Sequence, residues 1–221
     1  MNYGKTHLIA CATVWEEVQS FLPEGLTCQD VDLGLHIHPA KLRVELQRLI
    51  DEVDQERETI LLGFGLCSNA VVGLRSERQT LVLPRVHDCV PLFLGSRVAY
   101  QEQTEQELGT YYLTKGFIEG VDENSILSFE RLDAKYGREK ADRILEAMLK
   151  NYKRLALINT GNYRMEHYRQ VACQAAQRLN LRFEEIPGSN TMIRKLVFGP
   201  WDEDILVIPP NTPVPEEPFY D

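Results

Sequence analysis

Thr59-Ile60-Leu61-Leu62-Gly63-Phe64-Gly65-Leu66-Cys67-Ser68-Asn69 opens as a continuous apolar run and ends in glycines, a cysteine and polar residues. The unbroken apolar stretch Thr59–Gly63 has the character of a parallel strand buried on both faces. A second run, Thr80-Leu81-Val82-Leu83-Pro84-Arg85-Val86-His87-Asp88-Cys89, also ends in a cysteine, as does the earlier His7-Leu8-Ile9-Ala10-Cys11. In an open parallel α/β sheet the carboxyl ends of the strands line one crevice, and ligands bind there. Cys11, Cys67, Cys89 and His87 are therefore expected to face one spot, a thiolate-rich site for a soft metal or a reactive group.

Outward from these runs the chain alternates strand and helix. Strands are expected at Thr6 to Cys11, Thr27 to Leu33, Thr59 to Gly63 and Thr80 to Leu83, with a helix around Val14 to Phe21. Pro39 opens a further helix, where proline suits the first helical position. Leu42, Leu46, Leu49, Ile50 and Val53 keep helical spacing along it. This alternation implies right-handed crossovers and a mostly parallel, Rossmann-like three-layer α/β sheet. Residues 1–98 form the α/β lobe that carries the Cys/His motifs. Residues 99–152 hold an aromatic segment and a helical insertion, with helices expected at Ser125 to Lys135 and Arg138 to Tyr152. Residues 153–208 form a second α/β portion: strands Arg154 to Asn159, Leu181 to Ile186 and Asp204 to Ile208, and a helix from Tyr163 to Leu179. Residues 209–221 are a proline-rich tail expected to run extended over the surface.

Bulk properties bound the function. The chain has 221 residues and a net charge of -9. An acidic balance argues against nucleic acid or an anionic membrane as the main partner, because both demand basic patches. No window of about 18 apolar residues exists, so no membrane span is expected. The polar Met1 to Lys5 and the short apolar run after it read as a first strand, not a signal peptide, and a cytoplasmic protein is expected. Five cysteines, an odd count without any CxxC, argue against a disulfide framework.

Within the candidate site, Gly65 allows close backbone approach, and Asn69 ends the first motif. Arg85 and Asp88 flank His87, and Asp88 suits either a helix cap or the orientation of His87. His36 and His38 form an H-x-H pair before a helix; on a strand this spacing can bind metal, but without an acidic third residue at a fitting distance the pair reads as a polar loop. Ser96, Tyr111, Tyr112 and Thr114 are candidate ligand contacts, since phenols give flat apolar area with a polar tip. The alternative for the tyrosine segment is an edge strand packed on the sheet. Lys195, near Gly188-Ser189-Asn190, is a candidate anion contact.

The segments Gly63-Phe64-Gly65-Leu66-Cys67, Pro84-Arg85-Val86-His87-Asp88-Cys89 with Leu94-Gly95-Ser96, and Gly109 to Phe117 together resemble the "domain of unknown function 1638" family over nearly the whole chain. In that family pattern a glycine follows the first cysteine, where this chain has Ser68. The resemblance implies a setting in one-carbon metabolism near corrinoid-dependent methyl transfer, with a small-molecule ligand or a corrinoid or methyltransferase partner protein. Three functions follow as expectations. The first is a metal-binding protein, an enzyme or accessory factor, holding zinc or an iron–sulfur cluster on Cys11, Cys67, His87 and Cys89. The second is a metal-free thiol enzyme with Cys67 or Cys89 as nucleophile. The third is a non-catalytic small-ligand-binding or accessory protein.

Overall fold

A computed structural model describes residues 2–120 and 127–220. The fold is α/β, mostly parallel and Rossmann-like. The first lobe runs β1 (Thr6–Cys11), α1 (Ala12–Gln19), β2 (Thr27–Val31), α2 (Pro39–Glu52), β3 (Thr59–Gly63) and β4 (Thr80–Pro84). The short α3 (Val90–Leu94) and α4 (Arg97–Gln106) follow, then β5 (Thr110–Leu113), α5 (Lys115–Glu119), α6 (Phe129–Tyr136) and α7 (Arg138–Leu149). β6 (Arg154–Asn159), α8 (Glu166–Arg178), β7 (Arg182–Pro187), α9 (Thr191–Phe198) and β8 (Ile205–Ile208) complete the chain of elements. The expected helix start at Ser125 lies outside the described residues.

The strands form two sheets. The larger has the order β2-β1-β3-β4-β8, parallel except for β8, which runs antiparallel to β4. The smaller is β5-β6-β7, all parallel. In the larger sheet the chain moves outward from β1 to β2, then crosses back to β3 on the other side. Right-handed crossovers in opposite directions put α1 and α2 on opposite faces. The reversal falls between β1 and β3, and a crevice opens at such a point beyond the strand ends. The two loops that border it begin at Cys11 and at Gly63.

Burial explains the pattern. Leu8, Ile9, Ile60, Leu61, Leu62, Val82 and Leu83 are fully buried. Leu42, Leu46, Leu49 and Ile50 cover the sheet from α2. A second core lies under the smaller sheet, built from Leu113, Leu155, Leu157, Leu145, Ala172 and Ala175. Arg154 is the largest fully buried side chain. Its guanidinium donates to Thr110 Oγ1 (3.0 Å), the Gln103 carbonyl (3.2 Å) and Glu184 (3.1 Å), so it ties α4 to all three strands of the smaller sheet.

Four placements differ from the sequence expectation. Thr110–Leu113, in the aromatic segment, is the edge strand of the smaller sheet, and the helices read as an insertion are its crossover from β5 to β6. Where the sequence reading placed no element around Gln101, helix α4 runs, started by Ser96, whose Oγ accepts from the Ala99 amide at 3.0 Å. β8 leaves the second α/β portion and pairs with β4. The tail does not only cross the surface: Val214 and Phe219 are buried in the larger core, and a 3₁₀ turn spans Glu217–Phe219.

Candidate functional site

The two cysteine loops beyond β3 and β4 are joined by main-chain hydrogen bonds. The Leu66 amide donates to the Val86 carbonyl (2.8 Å) and the Cys67 amide to the His87 carbonyl (3.1 Å). Gly65 is the close-contact point. A Cβ there would stand 2.6 Å from the Asp88 carbonyl oxygen and 2.7 Å from its carbon.

Cys67, Ser68 and Asn69 then turn left-handed, with φ of +46°, +56° and +65°. Each such non-glycine residue costs about 1–2 kcal/mol, and a run of three persists only where its surroundings hold it. Arg43 Nη2 donates to the Asn69 carbonyl at 2.6 Å. Asn69 Nδ2 donates to Glu216 Oε1 at 3.0 Å. The turn leaves Cys67 half-buried at the crevice and Ser68 exposed. A glycine in place of Ser68 would take the +56° φ without strain.

An imidazole stands beside Cys67, but it is His36 and not His87. Asp32 starts a 3₁₀ turn over Leu33–Ile37 by accepting from the Gly34 amide at 2.7 Å. This turn lays the His36 ring parallel to Phe64, at 6.0 Å between centroids and 20° between planes. His36 Nδ1 lies 3.1 Å from the Leu33 carbonyl, which can only accept, so Nδ1 carries the hydrogen of the neutral ring. Nε2 is buried without a hydrogen bond of ordinary geometry. Burial works to lower the His36 pKa. The Cys67 sulfur outweighs it, with help from the Leu33 carbonyl and Asp32, and the pKa is raised.

Cys89 is buried behind Cys67. Burial pushes its thiol well above the ordinary range, and the neighbouring Cys67, Cys11 and Asp88 add to the rise. Cys11 is also buried, and its thiol is raised by burial; its sulfur lies 3.3 Å from Thr13 Oγ1. Cys89 therefore lies within electrostatic reach of both Cys67 and Cys11. Among the described residues, however, no group of three His, Cys, Asp or Glu side chains is arranged to hold a metal ion. Of the other cysteines, Cys28 sits on the outer strand β2, its thiol pushed up to about 12 by burial, and Cys173 lies in α8.

The remaining candidates divide. His87 is exposed and packs on the Tyr220 ring at 5.4 Å. Asp88 accepts from the Val90 amide at 2.8 Å in a turn just ahead of α3, whose N-cap is Cys89, and burial raises its pKa. The Arg85 amide donates to the Asp204 carbonyl at 2.8 Å. Tyr112 faces Tyr100 at 6.1 Å, whereas Tyr111 packs on Tyr152 at 6.0 Å, in the smaller lobe. Thr114 caps α5 by accepting from the Phe117 amide. Lys195 is bound to Asp202 (2.9 Å) and Asp204 (2.6 Å), so its charge is already matched. The crevice residue that sequence reasoning set aside is His36. Its one signal was the H-x-H spacing before α2.

No helix among the described residues is long and apolar enough to cross a membrane. No curated protein and no solved structure matches the chain. A family model described as "protein of unknown function (DUF1638)" matches residues 31–197, a span that includes His36, the left-handed turn at Cys67 and the loop ending in Cys89. That match covers most of the chain, and the protein belongs to the DUF1638 family.

Proposed function

We propose that this protein is a thiol enzyme, with Cys67 as nucleophile and His36 as its base, acting on a small electrophilic molecule in the crevice between β1 and β3. The observation that carries this reading is the half-buried His36 imidazole, stacked on Phe64 with Nδ1 turned to the Leu33 carbonyl and the Cys67 sulfur as the neighbour that raises its pKa. With Nδ1–H given to Leu33, the neutral ring keeps its Nε2 lone pair for the thiol proton. Nε2 takes that proton, and the sulfur forms a bond to the electrophilic atom of the substrate. The leaving group departs with the bonding pair and takes the proton back from the imidazolium. Buried and pushed toward the protonated thiol, Cys89 supplies a neutral wall behind the nucleophile. The strained turn supports the same reading, because backbone strain clusters at functional sites.

The test is iodoacetamide labelling at neutral pH, resolved by mass spectrometry, beside metal and labile-sulfide analysis of protein purified without oxygen. Cys67 is expected to label first among the five cysteines, and His36→Asn to slow it at least about tenfold. Labelling of Cys67 that ignores His36→Asn would sink the proposal. About one zinc per chain, or iron with sulfide, lost in Cys67→Ser, would replace it with a metal site on the strand-end cysteines.

A further inference from the structure

We propose that residues 214–220 form a clasp that positions Cys67 against His36, with Glu216 as the positioning residue. This inference rests on the thiol reading above. The segment is anchored at its start by a pair of main-chain hydrogen bonds: the Gly73 amide donates to the Val214 carbonyl (2.9 Å) and the Val214 amide to the Leu74 carbonyl (2.8 Å). It is anchored near its end by Phe219, which is 2% exposed. It touches both cysteine loops. Glu216 Oε1 accepts from Asn69 Nδ2 at 3.0 Å, two residues beyond Cys67. The Tyr220 ring lies on His87, two residues before Cys89. The Tyr220 hydroxyl donates to the same Glu216 Oε1 at 3.2 Å, which links the two contacts into one bridge.

The bridge has a physical task. Three consecutive left-handed non-glycine residues relax toward ordinary backbone unless something holds them. Asn69 closes the run and is held from two sides, its carbonyl by Arg43 and its side-chain amide by Glu216. Releasing the Glu216 side frees the end of the turn that sets where the Cys67 sulfur stands. His36 is held independently of the left-handed residues, by the Leu33 carbonyl of its own turn and by the ring of Phe64, which precedes Gly65 and the turn. Glu216 thus acts through Asn69 on the distance between thiol and imidazole, without touching the crevice itself.

The test uses the full chain and the rate of Cys67 alkylation by iodoacetamide in four variants: Glu216→Ala, Glu216→Gln, His36→Asn and the double Glu216→Ala/His36→Asn. Glu216→Ala is expected to slow alkylation to about the level of His36→Asn, roughly tenfold. Glu216→Gln keeps an acceptor oxygen for Asn69 and is expected to restore the rate. The double variant is expected to be no slower than either single one, because both remove the same pairing. Additive slowing would mean that Glu216 acts on stability alone and would overturn the clasp. So would faster alkylation in Glu216→Ala, which would make the segment a cover. If His36→Asn slows the reaction and Glu216→Ala does not, the clasp fails while the thiol reading stands. If His36→Asn changes nothing, the thiol reading fails and takes the clasp with it.

Discussion

Gly65→Ala is expected to cost the fold about 3 kcal/mol and to slow the alkylation of Cys67. The new methyl group would meet main chain, not a side chain that can swing away: the Asp88 carbonyl oxygen at 2.6 Å, its carbon at 2.7 Å and its Cα at 2.9 Å. Overpacking usually costs about 1–3 kcal/mol, and the upper end applies where the neighbour is main chain held by hydrogen bonds. Here the Leu66 and Cys67 amides, bonded to Val86 and His87, hold the two loops together beside the clash. The loops must part to admit the methyl, and they carry Cys67 and Cys89 with them. For a chain of this size each kcal/mol moves the melting temperature by about 2–4 °C, so a fall of roughly 6–12 °C is expected. Thermal unfolding checks the first half of the prediction, and the labelling rate of Cys67 checks the second. An unchanged melting temperature would show that the loops yield without loss and that their tight approach is not what builds the site.

The three cysteine-ended strands were legible because burial on both faces leaves a continuous apolar run, as at Ile60, Leu61 and Leu62. The placing of Cys11, Cys67 and Cys89 at or beyond the carboxyl ends of neighbouring strands of one sheet followed from the strand pattern. What stayed hidden depends on contacts between distant segments. β5 is only four residues long and is defined by its pairing with β6, from Thr110 opposite Arg154 to Leu113 opposite Leu157. β8 looks like any strand of the second half, and only its register with Leu81 to Pro84 shows that the chain returns to the first sheet. Val214 and Phe219 sit among prolines without a period, so nothing in their spacing announces that both are buried. His36 was illegible for the same reason. Its partner lies beyond a different strand, and its tautomer is set by a carbonyl in its own turn. His87, placed beside a cysteine in sequence, points outward to Tyr220 instead. Adjacency along the chain was a poor guide to which imidazole stands beside Cys67.

Glu17 carries the second large effect, at the joint between the two lobes. It lies on α1 and is 3% exposed. Its carboxyl group accepts from Thr160 Oγ1 at 3.1 Å and from the Asn162 side chain, and Asn190 also hydrogen-bonds to it. Thr160, Asn162 and Asn190 stand beyond the carboxyl ends of β6 and β7, the place where an α/β sheet ordinarily takes a ligand. The smaller sheet thus spends its crevice on a carboxylate of the larger lobe, and α1, which begins next to Cys11, is held from both sides. Glu17→Ala would leave buried polar groups facing a void, at an expected cost of about 2–3 kcal/mol. Glu17→Gln keeps volume and an acceptor oxygen and is expected to lose much less. Burial raises the folded-state pKa of Glu17, with its hydrogen bonds opposing the rise. Over the window between the usual glutamate range and this raised value, the folded state keeps a proton that the unfolded chain has lost. The stability that Glu17 contributes is therefore full below the usual glutamate pKa and is lost as pH rises through the folded one. Urea unfolding of the wild type and of Glu17→Gln at about pH 4 and about pH 7 isolates this contribution, because every other titrating group is common to both. The wild type is expected to lose ground to the glutamine variant as pH rises. A difference that stays flat or moves the other way would mean that Glu17 is held as a carboxylate throughout and that its three donors outweigh its burial.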